Sequence, residues 1–276
     1  MVEILNVANW LLPMLYLALL VDYGSAFFLR TKAHGRSLAL PAVLLVHVLF
    51  LVVLAVNLRR LVPVSNYEVL SVLAAATAVV YCVVEFSTRE RRTGAFVLLV
   101  VFLLQYTSSV FLPRIDFQAG ASGVGSQVPA ARFHILPALV AYTGFTISAI
   151  YGVLHLLARR DLKRHRFGLL FDRLPPLELL GRMNWHAMLM GFVFMTLSIV
   201  SGAVMYSKTG HAQGASPSWD LKILSKIIAG SAAWVIYAGA IAGKWIGKWE
   251  SSRVSRVAVY GFLVVMVLLV ASTVLS

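Results

Sequence analysis

Charge and cysteine are the two things this sequence has least of. Only 13% of its 276 residues are charged, against 60% hydrophobic, where soluble domains carry about 25% charged residues. That supply could not cover the surface of a globule of this size, so a water-soluble fold is excluded. The single cysteine, Cys82, excludes an intramolecular disulfide and any multi-cysteine metal or iron–sulfur site. Acidic residues are few: 11 Asp and Glu stand against 24 Lys and Arg, for a net charge of +13. In a soluble protein that excess would point to nucleic acid. Here the cations fall in short clusters between apolar runs, which is how membrane topology is written, and no nucleic-acid partner is expected. Hydrolase and kinase signatures are missing too: there is no P-loop, dinucleotide fingerprint, Gly-x-Ser-x-Gly element or His-Glu-x-x-His motif. An assembly factor or regulator is expected before a stand-alone enzyme.

What the sequence does have is long apolar runs. A helix needs about 20 apolar residues to cross the hydrocarbon core. Eight segments qualify: Ile4–Leu29, Leu38–Leu58, Val69–Phe86, Phe96–Leu112, Phe133–Ala158, Trp185–Tyr206, Ile223–Lys244 and Val254–Leu275. Their continuity favours helices over a barrel. The expected fold is an all-α, polytopic membrane bundle of about eight transmembrane helices. The first run carries Glu3 and no cation at its front and is too long for the core of a cleavable signal.

The cations orient the bundle. Connections 1–2, 3–4, 5–6 and 7–8 hold 17 of the 24 Lys and Arg, leaving seven for the opposite face. The positive-inside rule makes the first set cytoplasmic and places both termini on the outer face. The expected location is a bacterial-type cytoplasmic membrane, crossed many times, with the lipid bilayer as constant partner. No extramembrane segment is long enough to fold alone, so residues 1–276 are expected to form a single integral membrane domain. Two connections exceed tight turns: the outer Pro113–Arg132, with its QAGASGVGSQVPA stretch, and the cytoplasmic Arg159–Asn184, which opens RRDLKRHRF and continues through LPPLELLGR.

Ionisable residues at membrane depth are costly and default to a functional hypothesis. His47 lies near the middle of the second run. Its imidazole suits haem-iron or metal ligation and proton shuttling, and suits equally a neutral hydrogen bond to a neighbouring helix. Asp22, in the inner half of the first run, is expected to pair with a basic residue or a tyrosine. Glu85 and Cys82, one turn apart, are expected to pack structurally. His155 and His186, near the inner ends of runs five and six, leave room for a second site, and read more readily as snorkelling interfacial residues. His165 belongs to the RRDLKRHRF run, a positive-inside determinant or a dock for anionic lipid or a partner.

The outer face gathers a different set. His134 opens the fifth run, His211 sits in the outer connection 6–7, and Trp219 and Asp220 follow in the same connection. Arg114, Arg132, Lys208 and Lys222 share that level. Haem needs an imidazole for iron, an apolar or aromatic surface for the macrocycle and cations for its propionates. All three ingredients are present, although tryptophan and cations gather at interfaces in any case. His134, His211 and His47 are the candidate iron ligands. Small residues in SIVSGAVMYS and IIAGSAAWVIYAGAIAGKW would let helices approach closely, which is a statement about packing.

The second half of the chain resembles a known family. FHILPALVAYTGFTISAIYGVLHLL has a histidine opening a helix and a short run ending in Ala-Tyr. LPPLELLGRMNWHAMLMGFVFMTLSIVSGAVMY is similar to the next family segment, and SWDLKILSKIIAGSAAWVIYAGAI resembles its Trp-Asp-x-Lys signature. Upstream, VPVSNYEVLSVLAAATAVVY resembles the family's Pro-x-Ser-Asn-x-x-Glu opening of span three. These segments resemble the cytochrome c assembly protein family, most closely its HemX-type branch, related to the haem-handling subunit of system-II cytochrome c synthase. The resemblance runs from about Leu58 to the C-terminus and is strongest over residues 133–241. It implies a membrane protein that binds or handles haem for cytochrome c biogenesis and presents it on the outer face, with other maturation proteins as partners. It also implies that His134 is the first outer haem ligand and that Trp219 and Asp220 belong to the haem-presenting signature.

The sequence departs from the family pattern in places. Its outer connection has one tryptophan, Leu221 and Ile223 stand where proline and glutamate are usual, and no histidine follows His211. These departures suit a HemX-like regulator of a tetrapyrrole-synthesis enzyme acting through the cytoplasmic loop, or a non-catalytic structural subunit of a membrane complex.

Overall fold

In the computed structural model, residues 2–29, 38–58, 63, 65–88, 91–112, 129–165, 168–213 and 221–274 are described. Among them the chain forms α1 (Val2–Phe28), α2 (Ala39–Asn57), α3 (Asn66–Thr88), α4 (Gly94–Phe111), α5 (Pro129–Lys163), the short α6 (Leu169–Arg173), α7 (Leu177–Gln213), α8 (Leu221–Trp245) and α9 (Ser251–Val274), and no strand. Every one except α6 is long and apolar enough to cross a membrane. The protein is an all-α, multi-pass membrane protein, with eight such helices among the described residues.

Helices were expected because backbone polar groups in hydrocarbon must be satisfied within the segment. Hydropathy marks only the apolar stretch, however, and two helices run well past it. α5 is 35 residues long and α7 is 37, lengths of about 53 and 55 Å at 1.5 Å per residue, against a hydrocarbon core of about 30 Å. The RRDLK stretch, expected in a connection, is therefore the last turn and a half of α5, and LELLGR forms the start of α7. Polar residues with good helix propensity extend a helix already nucleated in the membrane. α5 stops where His165 takes a positive φ of 50°, the left-handed turn that commonly ends a helix.

The chain packs as two compact units, Met1–Val128 with Asp172–Pro175, and Pro129–Phe171 with Pro176–Ser276. In the first, α1 packs on α2 and α4, and α3 on α2 and α4. One end of its core is built from Leu5, Leu12, Phe50, Leu54, Leu58 and Leu112. At the other end Gly94 admits two rings: an added Cβ would lie 2.3 Å from Tyr23 Cδ1 and 2.4 Å from the Tyr81 hydroxyl. There Tyr23 donates to Glu85 Oε2 at 2.8 Å, while Arg91 bridges Asp22 at 3.2 Å and Glu85 at 3.4 Å. Asp22 is thus paired with a basic residue, as expected at its depth.

In the second unit α5 lies against α7 and α9, and α8 against α7 and α9. Phe145 and Tyr237 stack at 3.8 Å between ring centroids, nearly parallel at 2°. Asn184 ties three helices together: it accepts from Ser148 Oγ at 2.6 Å and donates to Ser255 Oγ at 2.9 Å. With lipid as solvent there is little hydrophobic force between helices, so close packing and such polar bridges hold the bundle.

Candidate functional site

α5 and α8 begin, and α7 ends, at one end of the second unit, the end that the cation distribution assigns to the outside. His134 sits there, one turn inside α5. Its Nδ1 lies 2.8 Å from the carbonyl oxygen of Ser198 on α7. A carbonyl can only accept, so Nδ1 carries the proton. Ser198 Oγ, 3.1 Å from the same nitrogen, accepts as well while donating its own proton to His134 O at 3.1 Å. The imidazole is thereby fixed in orientation and tautomer, and its unprotonated nitrogen is Nε2. Gly202 makes room for the ring: a Cβ there would stand 2.8 Å from Nδ1 and 3.0 Å from Cε1. A histidine whose far nitrogen is locked onto a carbonyl is the usual form of an imidazole metal ligand.

The same arrangement recurs at the other end of the α5–α7 pair. His155 Nδ1 donates to Leu177 O at 3.1 Å, and its ring lies on Gly181, where a Cβ would be 3.4 Å away. The two histidines are 21 residues apart on α5 and the two glycines 21 apart on α7, and each accepting carbonyl stands four residues before its glycine. Antiparallel helices in one register repeat a contact in this way. The sequence leaves His155 between a second site and an interfacial residue, and the second unit gives it the same kind of seat as His134. The matched spacings are visible in the sequence, but nothing in the sequence says that α5 and α7 are partners.

His47, in the first unit, has a different setting. It is fully buried. Its Nδ1 lies 2.8 Å from the Tyr16 hydroxyl and its Nε2 3.0 Å from Ser71 Oγ. Ser71 spends its proton on Gln105 Oε1 at 2.9 Å, so Nε2 of His47 donates and Nδ1 accepts from Tyr16. The chain continues from Gln105 Nε2 to Ser109 Oγ at 3.1 Å, and from Ser109 Oγ to Asn9 O at 2.7 Å. Every bond points the same way, and four helices are joined by it. Both ring nitrogens of His47 are occupied, whereas no described residue engages Nε2 of His134.

The remaining candidates are only partly placed. Arg132 lies in the first turn of α5 and Lys222 in that of α8, although both were expected in connections. His211, expected in the outer connection, belongs to the last turn of α7. Lys208 lies within α7; its side chain and those of these three are outside the described residues, as are Trp219, Asp220 and Arg114 altogether. Along α7, His211 stands nine residues beyond Gly202, about 13 Å farther up the axis. The helix therefore does not bring His211 level with His134.

Comparison with known proteins places these elements in a lineage. The family model for the cytochrome C assembly protein matches residues 63–276. The chain belongs to the cytochrome c assembly protein family. The match takes in α3 and everything after it, including both histidine–glycine seats.

Two cytochrome c biogenesis proteins named CcsA show how far the likeness extends. That of Heterosigma akashiwo is 25% identical over 237 aligned residues, covering 74% of this chain and 71% of the relative. That of Porphyra purpurea is 25% identical over 293, covering 91% and 88%. Protein HemX of Brevibacillus brevis is 31% identical over 96 residues, 35% of each chain. No solved structure matches the chain.

For this family the relevant question is whether the described residues suit haem. No group of three or more His, Cys, Asp or Glu that could hold a metal ion occurs among them. A haem site asks for less, because the macrocycle supplies the equatorial nitrogens and the protein only axial ligands. One locked imidazole with a free Nε2 meets that requirement on the protein's side.

Proposed function

We propose that the protein binds haem on its outer face for cytochrome c biogenesis, with Nε2 of His134 as an axial iron ligand. The observation that carries this is the fixed tautomer of His134, held by Ser198 over Gly202 at the outer end of a family-matched helix pair. Bound haem would supply the porphyrin iron. The chain's own part is to hold the imidazole, exclude water along the α5–α7 seam and offer cations, Arg132 and Lys222, to the propionates. Trp219 and Asp220 would form the wall of the same site, and a partner would supply the cytochrome thiols. His211 and His47 are the weaker ligand candidates, the first for its distance along α7 and the second because both its nitrogens are used. The membrane proposed is a bacterial-type cytoplasmic membrane.

The deciding experiment is an absorption spectrum of the detergent-purified protein, oxidised and then reduced, for wild type and His134→Ala. A Soret band with reduced α and β bands, weakened by the substitution, is expected. A featureless spectrum even after added haem would defeat the proposal.

The likeness to HemX favours a second reading, regulation of a tetrapyrrole-synthesis enzyme through the cytoplasmic end of α5. The exposed residues Arg160, Lys163 and Arg164 support it. Removing their charge should then change the abundance of that enzyme while leaving the spectrum untouched.

A further inference from the structure

At the opposite end of the second unit, six cations line one cleft of about 580 Å³. Arg159, Arg160, Lys163 and Arg164 come from the end of α5 and the residue after it, and Arg253 and Arg256 from the first turns of α9. One carboxylate lines the cleft, and it is already engaged: Glu250 Oε2 accepts from Arg159 Nη2 at 2.8 Å and from Ser252 Oγ at 3.2 Å. No described ion pair involves the other five. The positive-inside rule asks only that cations lie on this side. It does not ask that two helices aim theirs at one hollow, where like charges repel unless an anion sits among them.

A second hollow indicates what kind of anion. It measures about 500 Å³, shares Arg253 and Arg256 with the cleft, and continues along α9 past Trp249, Val257, Tyr260 and Val264. Its floor is set by Gly261, where an added Cβ would lie 2.6 Å from Ile236 Cγ2 on α8. From Arg256 to Val264 the helix rises about 12 Å into what hydropathy marks as membrane. A free anion would use only the cationic cleft. A molecule with an anionic head and an apolar tail uses both hollows. The cation count assigns the cleft to the cytoplasmic face, where anionic lipids concentrate.

We propose that the two hollows form one site for an anionic glycerophospholipid, its phosphate among Arg160, Arg253 and Arg256 and one acyl chain along α9 beside Ile236, Val257 and Val264. The site is separate from His134 and independent of haem.

The test uses the full-length protein in detergent micelles, titrated with phosphatidylglycerol, with phosphatidylcholine of the same chains, or with inorganic phosphate. Binding is followed by native mass spectrometry and by the melting temperature. Phosphatidylglycerol should bind and raise the melting temperature, and R253Q/R256Q should weaken it roughly thirtyfold, the product of two lost headgroup contacts. Val264→Trp should reduce phosphatidylglycerol binding by filling the groove. Should R253Q/R256Q fail to fold, R160Q/K163Q tests the same cleft from α5. Equal binding of phosphatidylcholine, or undiminished binding by the arginine variants, would overturn the proposal. Protection by inorganic phosphate as strong as by lipid would reduce the site to a free-anion cleft, and indifference to Val264→Trp would remove the acyl groove.

Discussion

Gly144 of α5 and Gly191 of α7 meet backbone to backbone: a Cβ on Gly144 would lie 2.7 Å from Gly191 N and 2.8 Å from Ala187 O. This contact fixes the register of the helix pair. With Gly144 opposite Gly191, His134 falls on Gly202 at one end and His155 on Gly181 at the other.

Gly144→Val should therefore act on stability and site together. The clashing atoms are backbone and cannot rotate away, so the helices must separate, at a cost of about 1–3 kcal/mol or more. The melting temperature in detergent should fall and haem retention with it. Gly239→Ala, where nothing lies within 4 Å, is the control and should leave both unchanged or slightly raise stability.

Gly202→Ala tests the His134 seat more gently. The added methyl would press on Nδ1 and push the ring off the Ser198 carbonyl. A weakened or shifted Soret band with a nearly unchanged melting temperature is expected. An unaltered spectrum would mean that this orientation of His134 does not matter to the iron.

Substituting His47 should do the reverse. His47→Leu strands the Tyr16 hydroxyl and deprives Ser71 of a donor in a fully buried setting, an expected loss of about 1–3 kcal/mol. Thermal unfolding should show that loss, while the haem spectrum of whatever folds stays as in wild type. Disappearance of the Soret band in a folded His47→Leu protein would make His47 a ligand after all.

The Arg159–Glu250 pair gives a pH signature. The hydrogen bond from Arg159, then that from Ser252, holds the Glu250 carboxyl below its ordinary value. A group with a lowered folded-state pKa stabilises the fold above its unfolded value and loses that contribution as pH falls through the folded value. Glu250 is exposed, so the effect is small and screened by salt. The melting temperature of Glu250→Gln should lie slightly below wild type near neutral pH. The gap should close in acid, below the ordinary carboxylate range.

How much of this was legible beforehand varies by feature. The eight spans were, because about twenty predominantly apolar residues with few charges match the hydrocarbon thickness of a bilayer. The helix ends were not. Arg159–Lys163 and His211 look like loop residues to hydropathy, yet they continue helices whose nucleation was already secured in the bilayer. His134 was identified by residue type and family pattern, and Asp22 by the cost of a lone charge at depth. For His155 residue type left a site and an interfacial role both open, and the directed chain from Tyr16 through His47 to Asn9 could not be foreseen, since its members are scattered from residue 9 to residue 109.

The sequence by itself determined the solvent and the number of crossings, because those follow from transfer free energy counted along the chain, and its cation count supplied an expected orientation. Only the tertiary structure decided which nitrogens of His47, His134 and His155 are spoken for. Tautomer and orientation depend on the carbonyl or hydroxyl that a neighbouring helix presents. That neighbour is chosen by close packing of glycines far apart in sequence, which no property of the single helix encodes.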